Sequence, residues 1–325
     1  MRLAVVGAGA TGGFLGGMLA RAGHDVTLIA RGAHLEAMRR RGLVVRGAEG
    51  EFTVHPDCTD DLGAVAGAEA AFLAVKAHAV APLAPRLGAS LSPDTALVTL
   101  QNGIPWWYFQ RHGGPLEGTR LETVDPDGAI ERHLDPRQVV GAVVYAATSI
   151  AEPGVIEHIE GTRFTIGEPD GSRSERCRAI AAALTGSGLK CPVRTDIRKE
   201  IWLKLIGNAV LNPMSALTRA SLDALGAGDP VVRAAALAAM EEAVRVASAV
   251  GVELDLSVEQ RLQGAASVGG HKTSMLQDVE AGRPLEVEAL VGAVVEIGRL
   301  VGLELPRLEL LYACARLLDR GLRTP

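Results

Sequence analysis

The first twenty-two residues constrain the fold more than any other stretch. Arg2–Val6 is a short apolar run that stops at Gly7-Ala8-Gly9-Ala10-Thr11-Gly12, and a helical pattern follows from Phe14 to Ala22. A strand, a tight glycine turn and a helix in immediate succession is the setting in which G-x-G-x-x-G reads as a dinucleotide-binding fingerprint. Gly7 permits the sharp turn, and Gly9 leaves room for backbone N–H groups to approach a pyrophosphate. Gly12 lets the helix pack closely on the strand, with the helix N-terminus toward the phosphates. Ala8, Ala10 and Thr11 complete the cradle.

In open α/β sheets, ligands bind beyond the carboxyl ends of the strands, so the next strand ends matter most. The second strand is expected over His24–Ala30 and is followed by Arg31. A site for NAD usually carries Asp or Glu here to hold the ribose 2′-hydroxyl. No acid is near. The Arg31 guanidinium suits a 2′-phosphate instead, which points to NADP as the cofactor. Buried strands at Ala70–Val75 and Thr95–Leu100 end at Lys76 and at Gln101-Asn102-Gly103, so Lys76 and Asn102 are candidates to border the nicotinamide half.

The remaining pattern separates into two parts. A helix over His34–Arg41, strands at Leu43–Arg46 and Glu51–His55, and a short helix over Asp60–Gly67 precede those buried strands. After them, Val139–Ser149, Val155–Glu160 and Arg163–Ile166 read as antiparallel strands, Ser174–Thr185 as a helix and Lys190–Val193 as a last strand. From Asp196 onward no strand pattern remains, and helices are expected at Ile197–Leu211, Ser221–Leu225, Pro230–Val250, Ser257–Val268, Ser274–Ala281, Leu285–Leu300 and Pro306–Leu318. The expected class is α/β: a Rossmann-type dinucleotide-binding domain over residues 1–195, followed by an all-α domain over 196–325 that carries the substrate chemistry. Ile104-Pro105-Trp106-Trp107-Tyr108-Phe109 is a dense cluster in a chain with only 3% aromatic residues. It reads either as packing or as a hydrophobic wall over substrate or nicotinamide.

The helical half contains the chemistry. Lys204, Asn208 and Asn212 fall four residues apart, and each step of four turns a helix by only about 40°, so the three share one face. Ile201, Trp202, Leu203, Leu205, Ile206, Val210 and Leu211 surround them. An ammonium and two carboxamides on such a helix need partners, because an unpaired buried polar group costs roughly 1–3 kcal/mol. Pro213 is expected to kink or end the helix beside Asn212. Further on, Thr273 or Ser274 can cap a helix, and Glu286 stands at the start of the next one, where its carboxylate would be a partner for Lys204.

Bulk properties exclude several classes. A net charge of −5 gives no basic footprint for nucleic acid. No uninterrupted apolar run reaches the roughly 18 residues of a membrane span. Cys58, Cys177, Cys191 and Cys314 form no CxxC pair, so no metal site is expected. Met1 leads straight into the first strand, and a cytoplasmic location is the expectation, with a small molecule rather than nucleic acid or membrane as partner.

Taken together, GAGATG at 7–12, AVKAH around Lys76, QNG at 101–103, WLKLIGNAVLNPMSAL at 202–217 and SMLQD followed by GRPLEVE at 274–288 resemble the ketopantoate reductase (2-dehydropantoate 2-reductase) family over nearly the whole chain. The resemblance implies NADPH-dependent reduction of a 2-oxo acid to a 2-hydroxy acid in a cleft between a Rossmann domain and a helical domain. It implies Lys204 as general acid supported by Glu286. Asn208, Asn212, Ser274 and Asn102 would contact substrate, Lys76 would lie near the cofactor, and Arg31 would read the adenosine phosphate. A homodimer is one assembly open to such a protein. The aromatic run and an inserted loop near Leu116–Leu134 depart from shorter members, where substrate choice could change. Another oxo acid, or a non-catalytic NADP-binding sensor, are the alternatives.

Overall fold

The structure, a computed structural model, describes residues 1–48, 50–226, 228–255, 257–267 and 269–323. They form two compact units. The first comprises residues 1–101, 106–120 and 127–197, and the second residues 102–105, 121–126 and 198–325. The composition shift places the switch at 195; the chain also makes two short excursions, at 102–105 and 121–126, into the second unit.

The first unit is built on a nine-stranded sheet of order β4-β3-β9-β8-β7-β6-β1-β2-β5. Its strands are β1 (Arg2–Val6), β2 (Asp25–Ile29), β3 (Leu43–Gly47), β4 (Gly50–Val54), β5 (Asp57–Thr59), β6 (Ala70–Leu73), β7 (Ala96–Thr99), β8 (Val139–Glu152) and β9 (Val155–Gly167). β5, β2, β1, β6, β7 and β8 run parallel, with β1 between β2 and β6. β9 runs antiparallel to β8, β3 runs parallel to β9, and β4 runs antiparallel to β3. Every residue of β6 and β7 is buried, as expected where helices cover both faces of a parallel sheet. The helices are α1 (Ala10–Arg21), α2 (Gly32–Arg41), α3 (Val80–Ser90) and α4 (Glu175–Gly186), the last capped by the Ser174 side chain.

Four local expectations change. α3 has no counterpart in the sequence reading, because Pro82 and Pro85 mask it. Pro82 lies in the first turn, where no N–H donor is needed, and the buried residues Val80, Ala84 and Leu87 hold the turn around Pro85. Asp60–Gly67 forms only a short 3-10 turn over Leu62–Val65. The strands expected at Val155–Glu160 and Arg163–Ile166 are one strand, β9. Gly161 (φ +75°) bends it without ending it, and a side chain there would stand 2.3 Å from the Tyr145 carbonyl oxygen. Lys190–Val193 makes only isolated bridges, at Lys190 with Arg163 and at Val193 with Ile166, since Pro192 has no N–H to donate.

The aromatic run is core of this unit. Trp106, Trp107, Tyr108 and Phe109 are at most 5% exposed. The Trp107 indole donates to Thr99 Oγ1 at 2.9 Å, and its ring lies against Gly141, where a Cβ would come within 2.6 Å.

The second unit is helical: α5 (Ile197–Thr218, its first residue still in unit one), α6 (Leu222–Gly226), α7 (Pro230–Ala249), α8 (Val258–Ala266), α9 (Ser274–Glu280), a π turn (Glu288–Gly292) running into α10 (Ala293–Leu300), and α11 (Pro306–Arg323). The expected end of α8 at Val268 lies outside the described residues. α5 neither stops at Pro213 nor shortens there; it runs on to Thr218. Proline's fixed φ is helical, so the cost is one backbone hydrogen bond and crowding at Asn212. Leu211, Asn212, Pro213, Ser215 and Ala216 are all buried, and that packing carries the helix through. Among the described residues no helix is long and apolar enough to cross a membrane.

Candidate active site

In the first unit the glycine turn is shaped for a nucleotide. The N–H groups of Gly7 and Ala8 both donate to the Ile29 carbonyl at 2.9 Å, which ties the turn to the end of β2. Gly7 has φ +94°, and a Cβ there would lie 2.6 Å from Val75 Cγ1. A Cβ at Gly12 would lie 2.3 Å from the Gly7 carbonyl oxygen, so α1 meets the turn at a distance only glycine allows. Gly9 is different. It is the N-cap of α1, and nothing stands within 4 Å of its missing Cβ. Open space in front of the first-turn N–H groups is what a pyrophosphate requires, so the residues present fit a dinucleotide.

Around this turn, Ala10 and Thr11 begin α1, and Thr11 Oγ1 lies 3.4 Å from Thr148 Oγ1. Arg31 is the exposed N-cap of α2, one residue past Ala30, and no acid stands beside it in sequence. Lys76 is partly buried directly beyond β6. Gln101 fixes that loop by donating to the Leu73 and Val75 carbonyls at 2.7 and 2.9 Å. His34, which the sequence did not single out, sits three residues after Arg31 and accepts from the Gly154 N–H at 3.0 Å. Burial holds its pKa below the ordinary histidine value, against a smaller opposing effect of the Ala8 backbone.

In the second unit the structure brings together groups that lie far apart in sequence. Lys204, on α5, donates to Asn102 Oδ1 at 2.6 Å. Asn102 is set by its neighbours: Ile104 N–H donates to the Ala289 carbonyl at 2.9 Å, and a Cβ at Gly103 (φ +85°) would lie 2.3 Å from that same oxygen. Ala289 belongs to the π turn. Glu286 lies three residues ahead of Ala289, its carbonyl accepting the Leu290 N–H at 3.1 Å. Glu286 thus stands just ahead of the turn that docks the segment bearing Asn102. Such π turns concentrate at functional sites.

Desolvation lowers the Lys204 pKa to about 8; Glu286 opposes that fall and Arg261 adds to it. An ammonium that parts with its proton near pH 8 is matched to proton transfer in a cell. Asn208 is partly buried and Asn212 is 5% exposed on the same helix. Ser274 is exposed at the first position of α9, whose cap is Thr273, accepting from Leu276 N–H at 3.2 Å; the Ser274 hydroxyl is not used as the cap. Arg261 is absent from the sequence reading. Its guanidinium lies against α5 at Gly207, where a Cβ would come within 2.9 Å of Nη2.

These features define a class, that of pyridine-nucleotide-dependent oxidoreductases with a Rossmann unit and a helical unit. Sequence profiles sharpen it. Residues 3–171 match the ketopantoate reductase PanE/ApbA family, and residues 196–319 match the C-terminal portion of the same family. A 2-dehydropantoate 2-reductase of Mesorhizobium japonicum is 47% identical, covering 99% of both chains. One from Halobacterium salinarum is 33% identical over 98% of this chain and 99% of its own. A crystal structure described as that of a putative ketopantoate reductase from Ralstonia solanacearum superposes with a TM-score of 0.93 at 39% identity, covering 99% of this chain and 98% of the other. The chain belongs to the ketopantoate reductase family.

Proposed function

We propose that this protein reduces 2-dehydropantoate to pantoate with NADPH, the step that serves pantothenate biosynthesis. The observation that carries the reading is Lys204, held on Asn102 Oδ1 with its pKa lowered to about 8. NADPH, when bound, supplies a hydride to the substrate's carbonyl carbon. Gly7, Ala8, Gly9, Ala10, Thr11 and Gly12 would hold its pyrophosphate, Arg31 its 2′-phosphate, and Lys76 and Asn102 would border its nicotinamide end.

Lys204 then acts on the carbonyl oxygen. Its ammonium donates to Asn102 Oδ1, and the proton passes to the substrate oxygen as negative charge develops there. Glu286 favours the charged lysine, so the acid is loaded at neutral pH despite burial. Asn208, Asn212 and Ser274 orient the substrate's carboxylate and hydroxyl groups, a positioning contribution. One 2-oxo acid, one NADPH and one proton give one 2-hydroxy acid and NADP⁺.

NADPH oxidation followed by absorbance over a panel of 2-oxo acids tests the reading, with 2-dehydropantoate expected to give the highest kcat/KM. No oxidation with any 2-oxo acid would overturn it in favour of a nucleotide-binding sensor. Cofactor choice has its own test. Arg31→Ala is expected to weaken NADPH binding by about 1.5–3 kcal/mol, roughly 10–150-fold in Kd, and to leave NADH binding nearly unchanged. Equal losses for both nucleotides would defeat the assignment of Arg31.

A further inference from the structure

In an α-helix the Ala289 carbonyl would receive the N–H of Ala293, four residues on. Here Ala293 gives that N–H to the Glu288 carbonyl, five residues back, which is the π register. The Ala289 carbonyl accepts the Ile104 N–H at 2.9 Å. The one-residue shift of the turn thus presents the oxygen on which the segment bearing Asn102 docks. Asn102 Oδ1 in turn accepts from Lys204.

A π turn is a rare departure from α geometry, and here α11 grips it from outside. Glu288 is the first residue of the turn, and the Tyr312 hydroxyl donates to its Oε2. Burial and the carboxylate both raise the pKa of that phenol, so it stays a hydroxyl. Arg316, one turn further along α11, pairs with Glu288 Oε1 at 3.2 Å, and its guanidinium lies 5.4 Å from the centre of the Tyr312 ring. Gly292, the last residue of the turn, makes room for this bond. A Cβ there would lie 2.8 Å from Glu288 Oε2 and 2.8 Å from Tyr312 Cε2.

α11 is itself anchored. The fully buried Glu242 carboxylate, on α7, accepts from the Arg307 and Leu308 N–H groups at 3.1 and 2.9 Å and so caps the start of α11. Leu308 and Ala315 are fully buried along it. Near its other end Asp319 Oδ1 accepts the Leu285 N–H at 2.7 Å. The helix therefore holds the chain at two points, Leu285 and Glu288, on either side of Glu286.

We propose that Tyr312 and Glu288 are positioning residues for proton transfer: their bond holds the turn in π register, and through the Ala289 carbonyl it sets Asn102 against Lys204. The proposal rests on Lys204 being the proton donor. It gives the π turn and Gly292 a task in the reaction, carried out by side chains on the far side of the turn from the docked segment.

The test centres on Tyr312→Phe, which removes one hydroxyl and leaves the charges of Glu286, Arg261, Glu288 and Arg316 in place. It is expected to lower kcat about 2- to 10-fold, the effect of one hydrogen bond, with KM for 2-dehydropantoate and Kd for NADPH unchanged. The alkaline limb of kcat/KM moves to lower pH, because an acceptor oxygen favours the ammonium and a loosened Asn102 lets Lys204 lose its proton earlier. Gly292→Ala drives the same two side chains apart and lowers kcat likewise. Glu288→Gln keeps an acceptor for Tyr312 and retains more activity than Glu288→Ala. In an Asn102→Ala background Tyr312→Phe costs nothing further in kcat, since the group it acts through is gone. Amide hydrogen exchange at Ile104, read without substrate, becomes faster in Tyr312→Phe. If Tyr312→Phe lowers only the melting temperature and keeps the wild-type kcat, pH limb and Ile104 exchange, the pair is packing and the proposal falls while the proposed reaction stands. A kcat loss of equal size with and without Asn102 overturns it too. If wild type oxidises NADPH with no 2-oxo acid, the reaction is wrong and the positioning role falls with it, while Ile104 exchange still reports the docking itself.

Discussion

Lys204→Ala is expected to lower kcat by about 10²–10⁴, the range for a positioned general acid, with NADPH affinity nearly intact. The loss is in the chemical step, because hydride arrival at the carbonyl carbon leaves charge on an oxygen with no proton donor. A companion measurement reads the same lysine through its environment. With the ammonium as the proposed active form, kcat/KM in wild type should fall as pH rises through about 8. Glu286 raises the Lys204 pKa, so Glu286→Gln removes that support, the lysine deprotonates earlier, and the alkaline limb moves to lower pH. Arg261→Gln should move the limb the other way, to higher pH, since carboxylate and guanidinium act on Lys204 in opposite directions. The limb reports a coupled set, so the direction is the prediction. A folded Lys204→Ala protein that turns over at wild-type rate would end the mechanism.

Trp107→Ala should cost about 3–5 kcal/mol of stability, the usual cost of emptying a buried aromatic site. Trp107 is 1% exposed, and it fills the space that Gly141 leaves. Its removal also takes from the buried Thr99 hydroxyl the indole N–H it accepts at 2.9 Å. Denaturant melts measure the loss, and the ranking of 2-oxo acids should stay as in wild type. A variant of unchanged stability with a reordered ranking would restore the cluster as a substrate wall.

Much of the fold was legible because it is written in local patterns. The turn at Gly7–Gly12 depends on residues within one loop, and glycines at those three positions have separate steric reasons visible without coordinates. The helices of the second unit follow from apolar periodicity and caps, and their expected spans differ from the observed ones mainly at the ends. Lys204, Asn208 and Asn212 share a face by angle alone. Where a local rule met opposing packing, the rule lost: Pro213 did not end α5, Pro82 and Pro85 did not prevent α3, and Gly161 bent β9 without dividing it.

The site needed more than sequence. That Lys204 meets Asn102, more than a hundred residues earlier, follows from the Gly103–Ile104 segment docking on the Ala289 carbonyl. That Trp107 is core follows from Gly141 and Thr99 lying opposite it. Arg261 was invisible because nothing about an arginine on a short amphipathic helix says which neighbour it lies on. Periodicity specifies which side of an element a residue occupies. Which distant side chain shares that side, and how far water is excluded from the lysine between them, are set only when the elements pack, and the proton affinity of Lys204 depends on both.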